Sequence, residues 1–476
     1  LDNVTTALVH LLNKHEHLPG PIAECAAIAA DRFENARLAA ALLREVASVD
    51  PAEYKRQQLS DAKGVSAVGV FVAELAQRMP KTTMTNISLL LPHLDGEAYS
   101  LRSALVTVLG HLVCSDASSG SLTEDRDRST SDASTPLLRA KQGFLDLLVE
   151  RVHDVSAFTR ARVLQTWAAM AEKKAVPLSH WLVVADLAIG RLGDKSALVR
   201  KAAMHLLAVM LGFNPFAPQL PSSAFASSLK EYEAKLAQMA PPPPETPETV
   251  PEGDEANAER DAADEEKDAS NDEEKKDTSD DEEKNASEQE APRQEPNGAA
   301  ETAETAADPP PSTQPELDGG VEAVRTMVAA LKTALGFAVQ MSGAVHVLCR
   351  LLASSTPSDA IEATGLLVRL RQFGVDGADE GVRRMLGLVF SRDAAVRDAA
   401  VEAVDVLFLS GADSPVAAAA ALAEVAAASA LGELAALEEV LKLLVADGRV
   451  PPDGAVIRAT WALATAREAS DAARAA

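Results

Sequence analysis

The side chains that could carry chemistry are few and lie far apart. His111 and Cys114 are three positions apart, a spacing that places both on one face of a helix, where they could share a metal ion. No second pair of histidines or cysteines accompanies them, so we do not expect a zinc site. His10, His15 and His17 crowd a predicted helix end, where histidines commonly face solvent and the negative end of the helix dipole.

Motifs of the common catalytic classes are missing from the sequence. It contains no GxxxxGK[ST] phosphate-binding loop, no HExxH zinc motif and no GxSxG nucleophile motif. We therefore predict a protein that is not an enzyme, with no catalytic residues, no cofactor and no small-molecule substrate.

The composition indicates a helical protein of a reducing compartment. Aromatic residues make up only 4% of the chain while Ala and Leu are abundant, which favours closely packed helices over sheets. The cysteines are isolated, as is typical of buried thiols rather than of disulfides. No apolar run reaches the length needed to cross a bilayer, and no secretory signal is present. We expect a soluble intracellular protein without a membrane partner, and its start in mid-helix at Leu1 indicates a fragment of a longer chain.

The elements that would position functional side chains recur along the chain. Asp154 precedes Arg160 by six positions and Asp194 precedes Arg200 by six, each pair leading into an apolar helical run. The two Asp residues are 40 positions apart, and so are the two Arg residues. A period of about 40 residues filled by two helices is the signature of HEAT-type repeats. The sequence therefore predicts an all-α fold, a HEAT-repeat alpha-solenoid of stacked antiparallel helix pairs.

Two further copies of the pattern extend the array. Asp95 precedes Arg102, and Asp393 precedes Arg397 at a shortened spacing. We expect the Asp, or a neighbouring Ser such as Ser196, to cap the incoming helix. The Arg is expected to reach back to an Asp or a carbonyl group of the adjacent repeat. This interpretation assigns four arginines to structure: Arg102, Arg160, Arg200 and Arg397.

The formal net charge of −26 is concentrated in one tract. Residues 241–320 hold 27 acidic and 6 basic residues, whereas the rest of the chain holds 44 and 39, so the remainder is nearly neutral. A tract rich in Pro, Glu, Asp and Ser cannot bury enough apolar surface to fold. The sequence predicts HEAT-type repeats in 1–114, 136–239 and 319–476, a disordered insertion at 115–135, and a disordered acidic Pro/Glu-rich linker at 240–318.

The predicted Asp–Arg pairs of successive repeats are here called the ladder. Basic residues outside this ladder are candidates for contacts with double-stranded DNA. They are expected at the helix ends of two adjacent repeats, where attraction to phosphates acts without reading base sequence. The alternative is a solvated face that only keeps the protein soluble. The candidates are Arg162, Lys173, Lys174, Lys195 and Lys201.

The acidic tract and the Ser/Thr-Pro pairs are candidates for phosphorylation. Ser279 precedes a run of acidic residues, which suits an acid-directed kinase, and Thr135, Thr246 and Ser414 each precede Pro, which suits a proline-directed kinase. The tract is otherwise expected to be a soluble spacer.

Several stretches resemble one family, that of condensin complex subunit 1, the HEAT-repeat non-SMC regulatory subunit of condensin I. The similar stretches are LLPHLDGEAYSLRSALVTVLGHL, RVHDVSAFTRARVLQTW, GRLGDKSALVRKAAMHLLAVMLGFNPF and QFGVDGADEGVRRMLGLVFSRDAAVRDAAVEAV, in that order along the chain. Together with their surroundings they cover nearly all of the sequence outside the two predicted disordered stretches. The composition of the linker and the enrichment in Ala depart from the family.

The resemblance implies a scaffold that holds the kleisin subunit, contacts the SMC ATPase heads and contributes to DNA binding in mitotic chromosome condensation. It implies a location in the nucleus and on chromosomes, with a cytoplasmic pool in interphase. Two alternatives stay open: the equivalent subunit of condensin II or of another SMC complex, and a karyopherin-like transport receptor, which shares a solenoid and an acidic loop.

Overall fold

A computed structural model describes residues 2–60, 62–115, 134–239, 315–451 and 454–475. These residues fold into helices joined by short turns, and no strand occurs among them. The chain divides into two compact units, one of Leu1–Leu236 with Ala323–Ala476 and one of Ala237–Glu322. Only the helix ends at 237–239 and 315–322 are described in the second unit. The predicted all-α fold is confirmed.

Nineteen α-helices are assigned within the described ranges. Short 3-10 turns at Leu91–Leu94 and Gly387–Phe390 and a π turn at Asp405–Leu409 interrupt the pattern. The helices are α1 (Asp2–Lys14), α2 (Pro19–Phe33), α3 (Arg37–Ser48), α4 (Pro51–Ser60), α5 (Ala62–Arg78), α6 (Pro80–Leu90), α7 (Tyr99–Cys114), α8 (Ser134–Arg151), α9 (Ala157–Glu172), α10 (Leu178–Arg191), α11 (Ala197–Gly212), α12 (Ser222–Met239), α13 (Pro315–Leu351), α14 (Pro357–Gln372), α15 (Ala378–Leu386), α16 (Ala394–Val404), α17 (Pro415–Ala428), α18 (Leu431–Ala446) and α19 (Ala455–Ala475).

Six of these helices form a row in which each packs on the next: α5, α7, α9, α11, α14 and α16, here called the B row. Their apolar stripes make the core. In α11, Val199, Ala203, Leu206 and Met210 recur at helical spacing, and all four are fully buried. Since one helix pair cannot cover such a face alone, the neighbouring repeat supplies the other half of the core.

The helices of the B row run in the same direction. The Ser103 and Thr159 hydroxyls, near the starts of α7 and α9, lie 3.2 Å apart. One to two turns further on, a Cβ atom at Gly110 would approach the Thr166 methyl group to 2.3 Å. The two helices are therefore parallel and in close contact over most of their length.

The row continues from α11 directly to α14, although a long segment separates them in the sequence. A cluster of three aromatic rings, Trp181 of α10, Phe216 and Phe337 of α13, packs beside this junction, with ring centroids 5.7–6.4 Å apart. The Leu220 N–H donates to the Phe373 carbonyl oxygen at 2.8 Å. The chain on both sides of the acidic tract thus belongs to one array.

Helix α13 corrects one expectation from the sequence. Its segment Gly320–Leu351 has a mean hydropathy of 1.3 and is long and apolar enough, by length and composition alone, to cross a membrane. The expectation that no apolar stretch reaches that length was therefore wrong. Many Ala, Gly and Met residues, spread over about nine turns, give the helix this hydropathy without forming one continuous apolar run. Packing accounts for part of the apolar character, since 39% of the apolar window is buried and Phe337, Met341 and Leu348 are fully buried in the array.

The predicted insertion and linker fall largely outside the described residues. This applies to residues 116–133 and 240–314, so the domain boundaries given above stay predictions. Helix α12, which precedes the linker, has no fully buried residue.

Candidate functional site

Buried ion pairs connect successive helices of the B row. The Arg102 guanidinium donates from Nε and Nη2 to the two carboxylate oxygens of Asp154, both at 2.9 Å, and Arg160 binds Asp194 with the same two distances. Each Asp also accepts from a backbone N–H two residues later, Ser156 at 2.7 Å or Ser196 at 2.9 Å. The Asp thus holds the N–H of the N-cap residue, and the predicted side-chain cap of the helix is absent at α9 and α11.

A third pair differs in geometry and in the position of its carboxylate, since Nε and Nη2 of Arg200 both donate to one oxygen of Asp359. Arg200 donates from Nε to Oδ2 of Asp359 at 3.1 Å, and Asp359 is completely buried. Asp359 lies within the first turn of α14, whereas Asp154 and Asp194 lie in the loops before α9 and α11. Ser354 occupies the equivalent loop position and donates its hydroxyl to Asp359 at 2.8 Å. The ladder therefore includes an ion pair between residues that lie on opposite sides of the acidic tract in the sequence.

The prediction that each Arg reaches back to the adjacent repeat is correct only in part. Each Arg donates Nη1 to a carbonyl of its own loop, six residues earlier, at 2.7–2.8 Å for Arg102, Arg160 and Arg200. The carboxylate partner belongs to the following repeat, not the preceding one. An arginine can satisfy both because its planar fork carries five donors.

The outer two copies of the motif differ from the inner ones. Arg397 donates to the Ser391 and Arg392 carbonyls, and Asp393 instead caps α16 by accepting from Ala395 and Val396 N–H at 2.9 and 3.3 Å. Ser391, not Asp393, thus holds the place of the ladder Asp.

Asp95 is not a ladder residue either. Gly96 supplies the carbonyl for Arg102, and Asp95 accepts from Arg151 at 2.7 Å at the protein surface. The spacing from Asp to Arg is shorter at Asp393 and longer at Asp95 because neither Asp occupies the position six residues before its Arg.

Electrostatics keep the central Asp ionised. Burial alone raises the pKa of Asp194, but hydrogen bonds from Arg160, the Ser196 N–H and Arg191 outweigh it, and the net pKa is lowered. Because the ladder arginines are largely buried and matched by carboxylates, their charge is not available to an external ligand.

The five DNA candidates do not form one cluster. Arg162 lies on an exposed stripe of α9, and Lys173, the residue directly after that helix, continues the stripe. Lys174 follows with a left-handed backbone, φ 54°. Lys195 lies in the loop before α11, near the opposite end of the row. Since α9 and α11 are parallel and a 16-residue helix spans about 24 Å, Lys195 and Lys173 are separated by most of a helix length.

Lys201 differs from the other four because it is paired. Its ammonium group lies 2.6 Å from Glu362 of α14. Arg162, Lys173, Lys174 and Lys195 are exposed and make no ion pair with any residue that the structure describes. The DNA site stays a prediction, with its unneutralised charge on α9 and in the loop before α11.

The exposed side of α5, α7 and α9 carries a groove of about 590 Å³, here called the B-row groove. Small side chains form much of its floor, and Val70, Phe158 and Leu198 border it. A smaller hollow of about 120 Å³ continues it along the seam of α7 and α9 as far as Lys173. The groove was not predicted from the sequence, because its residues come from four helices of the B row and none belongs to a recognisable motif.

His111 and Cys114 gain no third metal-ligating side chain within the described residues. His111 Nδ1 lies 3.3 Å from the Ala73 carbonyl oxygen, and no group of three or more His, Cys, Asp or Glu side chains suited to a metal occurs in the described part of the chain. Burial lowers the pKa of His111, the Ala73 carbonyl and Glu74 oppose this, and nearby Lys173 adds to the lowering. A histidine kept neutral in this way is a packed side chain of the α5–α7 contact.

The phosphorylation candidates are only partly within the described residues. Thr246 and Ser279 lie outside them, and Thr135 is in the first turn of α8 without a described side chain. Ser414 is exposed and caps α17, its hydroxyl accepting from the Ala417 N–H at 3.1 Å. All four stay predictions.

Comparison with known proteins identifies the family, although no family model matches the chain. Condensin-1 complex subunit CAP-D2 of Arabidopsis thaliana is 34% identical over 93% of this chain. Condensin complex subunit 1 of Mus musculus and of Homo sapiens is 29% and 28% identical over 97% and 98% of it. An engineered protein of solved structure aligns over 97% of this chain and 93% of its own at 14% identity, with a TM-score of 0.32, too low to support an argument.

The matches extend over the ion-paired Arg and Asp residues of the B row, here called its rungs, and over the helices on both sides of the acidic tract. The chain spans 29–38% of the length of these relatives, about a third. The resemblance carried by the sequence motifs is confirmed, and the chain belongs to the family of condensin complex subunit 1.

Proposed function

We propose that this chain is a non-catalytic scaffold within condensin, binding a kleisin subunit, the SMC ATPase heads and DNA during mitotic chromosome condensation. Family membership supports the proposal, and one structural observation carries it: an unbroken row of parallel helices fixed in register by buried ion pairs. Such a row gives a long rigid surface suited to extended partners. Its place would be the nucleus and chromosomes, with a cytoplasmic pool in interphase.

Purification of the tagged chain from dividing cells tests this role. We expect SMC proteins and a kleisin to co-purify, and the identity of the kleisin separates condensin I from condensin II. A karyopherin of similar length serves as the control bait. Recovery of a small GTPase without SMC proteins would instead establish the transport-receptor alternative.

For DNA, we propose phosphate contacts from the cationic residues of α9 and its neighbouring loops. Arg162, Lys173 and Lys174 are supported by their exposure and by the absence of ion pairs in the described residues. Lys195 forms a second, separate contact. Lys201 contributes less, because Glu362 neutralises it.

Charge reversal at the end of α9 tests the DNA contact. Lys173→Glu combined with Lys174→Glu should weaken duplex binding and reduce the slope of log affinity against log salt by about 2, since each phosphate contact contributes about 0.9. Lys174→Gly is the matched folding control, because glycine readily adopts the left-handed backbone found there. Unchanged affinity and slope in the double variant would assign these lysines to a solvated face.

A further inference from the structure

The B-row groove combines exposed apolar side chains with a floor of small residues. Phe158, Val70 and Leu198 are 59%, 49% and 42% exposed, and Phe158 stacks on Tyr99 with ring centroids 5.3 Å apart. These three side chains come from three different helices of the B row, α5, α9 and α11, and border one hollow. Isolated exposed apolar residues are ordinary, but several around one concavity mark an interaction site.

The floor lets a backbone approach closely. It is lined by Gly69, Ala104 and Ala161, together with hydroxyl groups. Two of those hydroxyls already donate to backbone oxygens, Ser103 to the Tyr99 carbonyl at 2.8 Å and Thr107 to the Ser103 carbonyl at 3.2 Å. Covering these two hydroxyls therefore leaves neither donor without a partner.

The charge of the groove is asymmetric. Glu74 on the α5 side is held by Arg78 at 3.4 Å, whereas Arg162 on the α9 side has no ion pair among the described residues. Lys173 extends the positive side along the same stripe. The groove thus presents a guanidinium beside an apolar platform, and a carboxylate is the group that an arginine fork binds best.

We propose that the B-row groove binds a short segment of a partner protein in which apolar side chains flank an Asp or Glu. The apolar side chains would cover Phe158, Val70 and Leu198, and the carboxylate would pair with Arg162. The seam of α7 and α9 is about 24 Å long, which about seven residues of extended chain would fill. This inference does not depend on membership of condensin, since only the groove itself carries it.

A protein segment fits the groove better than a duplex does. DNA phosphates need several cations and gain little from apolar side chains, whereas here three apolar side chains surround a single guanidinium. A larger groove of about 730 Å³ lies between α17, α18 and α19, but its charged residues Glu438 and Lys442 pair with each other at 2.9 Å. It therefore lacks a feature that would select a partner.

Selection of random 12-residue peptides displayed on phage, with the full chain as bait, tests the proposal. Recovered peptides should contain Asp or Glu between apolar residues. Each should bind at least tenfold more weakly to Phe158→Asp and to Arg162→Glu than to the unsubstituted chain. Replacing the peptide's acid by Lys should restore binding to Arg162→Glu.

Two variants serve as matched controls for side-chain type and charge. Phe390→Asp alters an equally exposed phenylalanine outside the groove, and Lys195→Glu alters an unpaired cation before α11. Both should leave peptide affinity within twofold, and all variants should share one urea midpoint. The proposal is overturned if recovered peptides ignore Phe158→Asp and Arg162→Glu. It is equally overturned if no peptide is recovered while a 30-base-pair duplex binds through Arg162.

Discussion

Each ladder arginine performs two tasks at once. Its Nη1 closes the loop of its own repeat, while Nε and Nη2 bind the carboxylate of the next repeat. A bidentate pair of this kind tolerates little displacement, so it fixes the register of neighbouring helices. The net contribution of a buried pair to the free energy of unfolding is small, but loss of one partner is costly. The three rungs therefore act on register more than on total stability.

Removal of one partner in the central rung should expose this cost. Arg160→Ala leaves Asp194 buried without its main donor, and we expect the free energy of unfolding to fall by about 3–5 kcal/mol. Urea denaturation measures the change. Lys235→Ala, which breaks the exposed pair with Glu231, is the control and should have little effect. Equal midpoints for the two variants would contradict a structural role for the rung.

The pH dependence of stability should contain a contribution from His93. This residue is 3% exposed, its Nδ1 has no partner in the described residues and its Nε2 lies 3.3 Å from the Ala47 carbonyl. Burial lowers its pKa, against opposing effects of that carbonyl and Asp50. The folded protein then binds fewer protons than the unfolded chain, whose histidine pKa is about 6.5. Stability is complete above that value and is lost as the pH falls below it.

A histidine substitution tests this linkage. His93→Gln keeps an N–H donor for Ala47 and removes the titration, so the urea midpoint should fall less between pH 7.5 and pH 5.5 than in the unsubstituted chain. His205→Gln, at an exposed position of α11, is the control for the substitution itself. An unaltered pH slope in His93→Gln would assign the effect to other groups.

Among individual residues, the sequence predicted the ion-paired Asp residues whose spacing from Arg repeats, and it missed the others. Asp154 and Asp194 are found because they stand six positions before an arginine. Asp359 serves the same function from within a helix, with Ser354 in the loop position, so no regular spacing marks it. A guanidinium can bind a carboxylate from any position within its reach. A repeating sequence spacing reveals only the carboxylates that stand at that one spacing.

Between elements, close contact of α7 and α9 depends on one glycine. Gly110→Ala would place a Cβ atom 2.3 Å from the methyl group of Thr166. Thr166 cannot turn away freely, since its hydroxyl donates to the Arg162 carbonyl at 2.9 Å. We expect a loss of about 1–3 kcal/mol in the free energy of unfolding from this overpacking. Thermal and urea denaturation measure it.

Gly143→Ala is the matched control for helix propensity. Gly143 lies in the interior of α8 with no atom within 4 Å of the position of its missing Cβ. The same substitution there should stabilise the protein by about 0.5–1 kcal/mol, because alanine loses less backbone entropy on folding. A stabilising effect at both glycines would contradict a tight α7–α9 contact.

Element types were easier to predict than element lengths. The 3.6-residue periodicity of apolar residues identified α9 and α11, whose buried stripes match it. Helix α13 continues for 37 residues, and no proline interrupts it after Pro315. The B-row groove could not be predicted, because it depends on which residues of four helices meet, and that follows from packing alone.

For the whole molecule, the acidic tract leaves a continuous array. The repeats on its two sides are joined by the Arg200–Asp359 rung, by Lys201 with Glu362, and by the donation from the Gln340 side chain to the Leu182 carbonyl at 3.2 Å. These contacts are of the same kind as those within either half. The two parts of the array are therefore joined by direct contacts between described residues.

Cutting the chain within the tract should consequently leave one particle. A protease site inserted after Gly298 would release two fragments, and we expect them to co-elute on size exclusion and to unfold in one transition, because the α11–α14 junction buries its own rung and core. Arg200→Ala removes the donor of Asp359, which is fully buried, so the cut fragments of this variant should separate while its uncut chain stays folded. Lys195→Ala, beside the same loop but exposed, should behave like the unsubstituted protein. Separate elution of the unsubstituted fragments would show that the connection through the tract, and not the rung and its neighbours, joins the two halves.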